Sequence, residues 1–245
     1  MMEAGNDNAP PEPQPTEPQP TEPSSEFASP PCLMHRLDPI SGDLAPDEDS
    51  QQRSDVVRWR KAERERLIAV RLGIPADERR AFSQRIAERL DEALGDISGR
   101  TISAYWAFRG EPDLRAWMEG LAERGAVCAL PVVVQRHAPL TFRSWRRGEP
   151  LQPGVWNIPI PASGPSVVPD IVIAPVVGFD PACYRLGYGG GFFDRTLAAF
   201  ARPPRIVGVG YARQAIRTIY PQAHDVPMTM IVTEAAIVTP VDEQP

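Results

Sequence analysis

Seven consecutive apolar residues, IVIAPVV at positions 171–177, constrain the fold of this chain more than any other feature. A strand covered on both faces reads as an unbroken apolar run, which is the mark of a buried parallel strand. The segments around it alternate in type. Residues 101–106 read as a strand and 107–112 as a loop. A helix is expected near 113–124, with Leu114, Trp117, Met118 and Leu121 on one side. Residues 127–134 and 140–145 read as strands, and a proline-rich loop follows to 169. After 171–177 come a glycine-rich loop, a short helix over 194–200, and strands over 206–211 and 230–233. Strands alternating with helices imply an α/β domain with a largely parallel sheet. Ligands of such sheets sit in loops at the carboxyl ends of strands.

Two helices precede this pattern. Residues 56–72 (VVRWRKAERERLIAVRL) read as the first, ending near Gly73-Ile74-Pro75. Arg60, Arg64 and Arg71 within it share one face, because their offsets at about 100° per residue bring all three within about 40°. Such a face is either solvated or turned to an anion. The second helix starts after Pro75 with Asp77 and Glu78, carries Phe82, Ile86, Leu90 and Leu94 at steps of four, and ends at Gly95.

Residues 1–54 read as a disordered, Pro/Glu-rich tail. Its EPQPTEPQPTEP repeat has too little apolar surface to offset chain entropy. Residues 1–50 hold eleven acids and one Arg, so the net charge of −6 hides a mildly basic remainder with 21 acids and 25 bases. That body suits an anionic small molecule. It lacks the concentrated basic patch of a nucleic-acid binder. No apolar run approaches a membrane span, and no basic-then-apolar leader opens the chain. Cys32, Cys128 and Cys183 form no paired motif, so neither a zinc site nor a disulfide scaffold is expected and a cytoplasmic place fits.

The segment most informative about chemistry is RLGYGGGFFDR, residues 185–195, between a buried strand and a helix. Gly187, Gly189, Gly190 and Gly191 let the backbone approach a ligand closely. Backbone N–H groups at a helix start attract phosphate oxygens. Arg185 and Arg195 bracket the loop, and Asp194 suits a Mg²⁺ ion that takes one or two carboxylates. The same glycines would also serve a tight turn packed for its own sake. No Gly-Lys-Ser/Thr ends the loop, and its spacing is not that of a dinucleotide-binding fold.

The chain resembles the 5-formyltetrahydrofolate cyclo-ligase family. RLGYGGGFFDR is similar to that family's nucleotide signature. WRKAERERL, FRGEPD, WNIPIP and HDVPM resemble its basic first helix, two substrate loops and C-terminal element, in the same order, over about residues 55–239. The resemblance implies a three-layer α/β/α fold with a largely parallel, Rossmann-like sheet, the catalytic domain spanning 55–240. It implies ATP as co-substrate and Mg²⁺ at Asp194. Arg60, Lys61 and Arg64 would belong to the ATP site. So would Arg185, Leu186, Gly187, Tyr188 and Gly189, followed by Gly190, Gly191, Phe192 and Phe193. Arg185, Arg64 and Asp194 would be catalytic.

On the folate side the resemblance implies Phe108, Asp113 and Trp156, with Phe192 and Phe193. Read by themselves, Asp113 also fits a helix N-terminal acid, Trp156 a core residue, although its Pro/Gly-rich loop favours exposure, and the Phe pair plugs beneath the loop. The Phe pair replaces tyrosines common in the family. Thr229 stands where the family often has a metal-binding Asp, with Asp225 as a substitute or as a turn-former before Val226-Pro227. The activity implied is ATP-driven cyclisation of 5-formyltetrahydrofolate by a monomer that binds neither nucleic acid nor membrane. The alternative is a relative that binds nucleotide and folate without turnover.

Overall fold

The computed structural model describes residues 46–240, with side chains from Gln51 onward. Helix α1 spans Pro46–Leu72 and α2 spans Ala76–Leu94. Strand β1 (Thr101–Ser103) leads through a loop to the short helix α3 (Arg115–Glu119) and then β2 (Val127–Val132) and β3 (Thr141–Ser144). Next come β4 (Leu151–Pro153), β5 (Pro159–Pro161), β6 (Ile171–Pro175), β7 (Gly178–Phe179) and β8 (Arg185–Leu186). Helix α4 (Phe192–Ala199) precedes β9 (Arg205–Val209), β10 (Met230–Val232) and β11 (Ile237–Val238).

The main sheet has seven strands in the order β11-β10-β9-β6-β1-β2-β3. Its five central strands are parallel, and the outer two, β3 and β11, run antiparallel. The apolar run of 171–177 becomes β6, the middle strand. Its register sets Ile171 beside Ile102 on one side and Arg205 on the other. Ile171 and Ile173 join the core under α2 and α3, with Ile86, Leu90, Trp117 and Met118. Val172 and Ala174 face the opposite core, with Leu197 of α4 and Ile231. Two covered faces give the three-layer α/β/α architecture and explain why β6 shows no polar alternation.

A third cluster seats α1. Leu67 is fully buried against Val177, Leu186 and Ile219. Gly178 makes this approach possible, because a Cβ there would lie 2.5 Å from Leu67 Cδ1. Burying that leucine contributes about 1.5–3 kcal/mol, and it fixes the rotation of α1 and hence the direction of its arginines.

The differences from the sequence reading are local. The first helix begins at Pro46 instead of near residue 55. No proline or glycine interrupts residues 47–72, so the backbone turns continue into the stretch read as tail. The rest of that expected tail, residues 1–45, lies outside the described residues. The helix expected over 113–124 is only Arg115–Glu119, continued by turns. The proline-rich stretch read as a loop holds the separate β4–β5 hairpin. Pro153, Pro159 and Pro161 mask it, yet prolines are tolerated in a strand pair outside a main sheet. No described helix is long and apolar enough to cross a membrane.

Candidate active site

The parallel strands run β2-β1-β6-β9-β10, so chain order reverses between β1 and β6. The crevice beyond the carboxyl ends at such a reversal is where open α/β sheets bind ligands. A cavity of about 230 Å³ lies there, walled by Tyr105, Trp106 and Phe108 after β1 and by Pro175 at the end of β6.

One end of the cavity is cationic and rich in backbone donors. The loop from Gly187 to Gly191 lines it. Gly191 takes φ 62° as the residue before α4, and the first N–H groups of a helix have no intrahelical acceptor. Arg64 donates from Nε to the Gly187 carbonyl at 2.7 Å. Burial, then the neighbouring charge of Arg60, lower the Arg64 pKa. Arg60 is held by the protein itself. It donates to the carbonyls of Ile219 (2.9 Å) and Tyr220 (2.8 Å) and pairs with Asp225 at 2.5 Å. Burial raises the Asp225 pKa, but the hydrogen bonds from Arg60 and the Gln222 N–H outweigh it and hold the carboxyl below its ordinary range.

Arg185 differs from Arg60. Its side chain is 5% exposed and lies 2.9 Å from Asp194, with Phe193 5.0 Å beneath the guanidinium. The terminal nitrogen facing Asp194 is ion-paired, whereas Nε has no hydrogen-bond partner among the described residues. Burial lowers its pKa, opposed by the charge of Asp194. A buried guanidinium with an unsatisfied Nε donor beside free helix N–H groups is a site for anionic oxygens.

The other end is aromatic and apolar. Phe108 and Trp156 lie with planes within 10° and centroids 6.4 Å apart, and Phe192 meets Trp156 edge-on at 6.5 Å. Trp156 is 56% exposed at the tip of the β4–β5 hairpin, so it is not a core residue. It and Asn157 both have positive φ, 56° and 59°, a conformation costly for non-glycine residues. Pro131, Val133, Leu140, Ile158 and Ile160 close this end. The flat, apolar walls suit a planar ring system.

Arg60, Arg64, Phe108, Trp156 and the whole segment 185–194 therefore meet at one cavity. Phe192 and Phe193, which open α4, line it and also pack on the core, so stacking surface and plug are one arrangement. Two expected residues stay outside. Lys61 is exposed and is not a wall of the cavity, since it lies one position off the face Arg60 and Arg64 share. Asp113 is also outside. Its N–H donates to Ser83 Oγ at 2.9 Å and its carboxylate pairs with Arg115 at 2.5 Å, just ahead of α3. Thr229 is bonded to Ile206 on the neighbouring strand, away from the cavity, whereas Asp225 lines it.

Sequence reasoning overlooked Glu111, which lines the cavity within FRGEPD. Burial carries its carboxyl from 4.5 up to about 7, against the opposing effects of Arg71, the Phe108 N–H and Tyr188. An acid in the loop after β1 at the chain reversal is the signal that would have found it.

Together these features define an α/β protein that presents an anion-binding glycine loop and an aromatic cleft to one cavity. The sequence pattern of the 5-formyltetrahydrofolate cyclo-ligase family matches residues 56–234, and the chain belongs to that family. A 5-formyltetrahydrofolate cyclo-ligase of Mycolicibacterium smegmatis is 32% identical over 175 residues, 63% of this chain and 87% of its own length. The protein of the same name from Escherichia coli K12 is 28% identical over 175 residues, 68% of this chain and 96% of its own. Among solved structures, the 5,10-methenyltetrahydrofolate synthetase of Aquifex aeolicus superposes with a TM-score of 0.66 at 25% identity, covering 76% of this chain and 95% of its own. The synthetase of Mycoplasma pneumoniae, with a TM-score of 0.60 at 21% identity over 71% of this chain and 98% of its own, speaks for the fold.

Proposed function

We propose that this protein uses ATP to close 5-formyltetrahydrofolate to 5,10-methenyltetrahydrofolate, releasing ADP and phosphate. The observation that carries the reading is Arg185, buried with an unsatisfied Nε between a glycine loop and an aromatic cleft. The formyl group on nitrogen 5 is an amide, and its carbon is a poor electrophile. Its oxygen attacks the γ-phosphoryl group of ATP, and ADP leaves. Nitrogen 10 then attacks the activated carbon, and phosphate departs as the five-membered ring closes.

Little covalent chemistry falls to the protein. Its task is to hold two substrates in line and to stabilise the charge that moves onto the transferred group. Arg185, Arg64 and the loop N–H groups supply fixed positive charge at that point. Phe108, Trp156 and Phe192 hold the pterin and keep water from the activated carbon. The reading includes Mg²⁺. Asp194 and Asp225 both line the cavity beside the phosphate loop, a number of carboxylates that fits an ion otherwise bound by phosphate oxygens and water. When bound, the ion would neutralise phosphate charge. A cytoplasmic monomer acting only on small molecules completes the proposal; the free, buried thiols of Cys128 and Cys183 agree with a reducing compartment.

Incubation with 5-formyltetrahydrofolate and Mg-ATP, followed by absorbance of the methenyl product, tests it. ATP-dependent product is expected. Binding of both substrates with no product would instead point to a non-catalytic relative.

A further inference from the structure

Arg71 is the last basic residue of α1, and its side chain is wholly buried. Burying a guanidinium is costly unless its donors are satisfied. A leucine there would serve packing alone. The partners of Arg71 show what the charge does. Nε donates to the Arg109 carbonyl at 2.9 Å, and one terminal nitrogen reaches the Val176 carbonyl at 3.5 Å. The same nitrogen lies 3.9 Å from Glu111, and the other donates to the Tyr188 hydroxyl.

Those four contacts belong to three segments. Arg109 and Glu111 sit in the loop after β1 that carries Phe108. Val176 follows β6, and Tyr188 lies inside the glycine loop. Tyr188 completes the link, because its hydroxyl donates to Glu111 at 2.9 Å while Glu111 accepts the Phe108 N–H at 2.8 Å. The Tyr188 ring also packs on Phe108 at 5.9 Å and under the Arg71 guanidinium at 5.6 Å. A continuous strut thus runs from the phosphate-type loop to the aromatic wall, buried at Arg71 and Glu111 and half-buried at Tyr188 and Phe108.

We propose that Arg71, acting through Tyr188, is a positioning residue that fixes the glycine loop against the Phe108 wall and so sets how the two substrates meet. This rests on the cyclisation reading, in which the γ-phosphoryl group and the formyl oxygen are bound by these two walls. Neither Arg71 nor the Tyr188 hydroxyl needs to touch a reacting atom. A small error in their spacing leaves each substrate bound but the pair misaligned, and misplacement of about 1 Å can cost on the order of a hundredfold in rate.

The test compares wild type, Tyr188→Phe and Arg71→Met in steady-state kinetics, calorimetry with each substrate alone, and amide exchange. Tyr188→Phe removes one oxygen from a ring that stays packed, so it decides the matter should Arg71→Met fail to fold. Expected are falls in kcat of about tenfold for Tyr188→Phe and about a hundredfold for Arg71→Met, with each substrate's separate affinity within about threefold. Arg71→Lys should not restore the rate, since an ammonium cannot span the three segments. Mg-ATP should protect residues 107–111 from exchange in wild type, and Tyr188→Phe should lose that protection while residues 187–191 keep theirs. Unchanged kcat in Tyr188→Phe would overturn the proposal, as would affinities that fall as far as the rate. A wild type without turnover would sink the cyclisation reading, and exchange alone then decides: no protection of 107–111 in wild type, or protection that survives Tyr188→Phe, overturns the strut.

Discussion

The two ends of the cavity are built by different means. The cationic end is set by backbone and buried charge: Arg60 has three protein partners in the 219–225 segment, and Arg64 is tied to Gly187. The aromatic end hangs on a two-stranded hairpin outside the main sheet, with an exposed Trp156 in a strained turn. Charge stabilisation in phosphoryl transfer depends on preorganised donors, whereas stacking on a flat ring tolerates small shifts. The fold spends its rigid parts where geometry matters most.

The sharpest way to break this contrast is to remove the buried cation. Arg185→Ala should lower kcat about a thousandfold, with a smaller change in the KM for folate, as expected for an oriented transition-state donor. A loss confined to KM would place Arg185 in uniform binding. Glu111, where the two ends meet, gives the next effect, read as stability. Its carboxyl titrates at about 7 in the folded protein against 4.5 when free, mainly through burial. The protonated folded form is favoured, so this contribution is full below about pH 4.5 and lost as pH rises through 7. Unfolding free energy should fall by up to roughly 3 kcal/mol across that window, and Glu111→Gln should flatten the slope in denaturant titrations.

Trp156→Ala should raise the KM for folate about tenfold and leave the nucleotide KM unchanged, because the lost stacking is worth about 1 kcal/mol or slightly more. An equal loss for both substrates would mean that the hairpin also shapes the phosphate end. The smallest effect is expected for Lys61→Ala, with kcat and both KM values within about twofold, since this residue is exposed and off the cavity. A large loss there would bring Lys61 back into the nucleotide site.

How far the sequence revealed these ends follows from their physics. The glycine loop was legible because phosphate chemistry demands a dense local pattern, and the shared face of Arg60, Arg64 and Arg71 was legible because helical periodicity is fixed. The middle strand showed in its unbroken apolar run. The β4–β5 hairpin was not legible, since three prolines hide strands of three residues. The place of Asp113 off the cavity wall was not legible, because the Ser83 hydroxyl that seats it comes from α2 and meets it only in the folded chain. The role of Arg71 needed the partner loops 38 and 117 residues away.

The ties of Arg60 have a consequence for how the molecule is made. Its acceptors lie 159 to 165 positions further along the chain. At about 5–20 residues per second of synthesis, α1 is out of the ribosome for on the order of ten seconds or more before they exist. A nascent chain halted before Ile219 would leave Arg60 without its acceptors while Arg64 and Arg71 already have theirs, so the Arg60 side of the nucleotide site should form only once residues 219–225 have emerged.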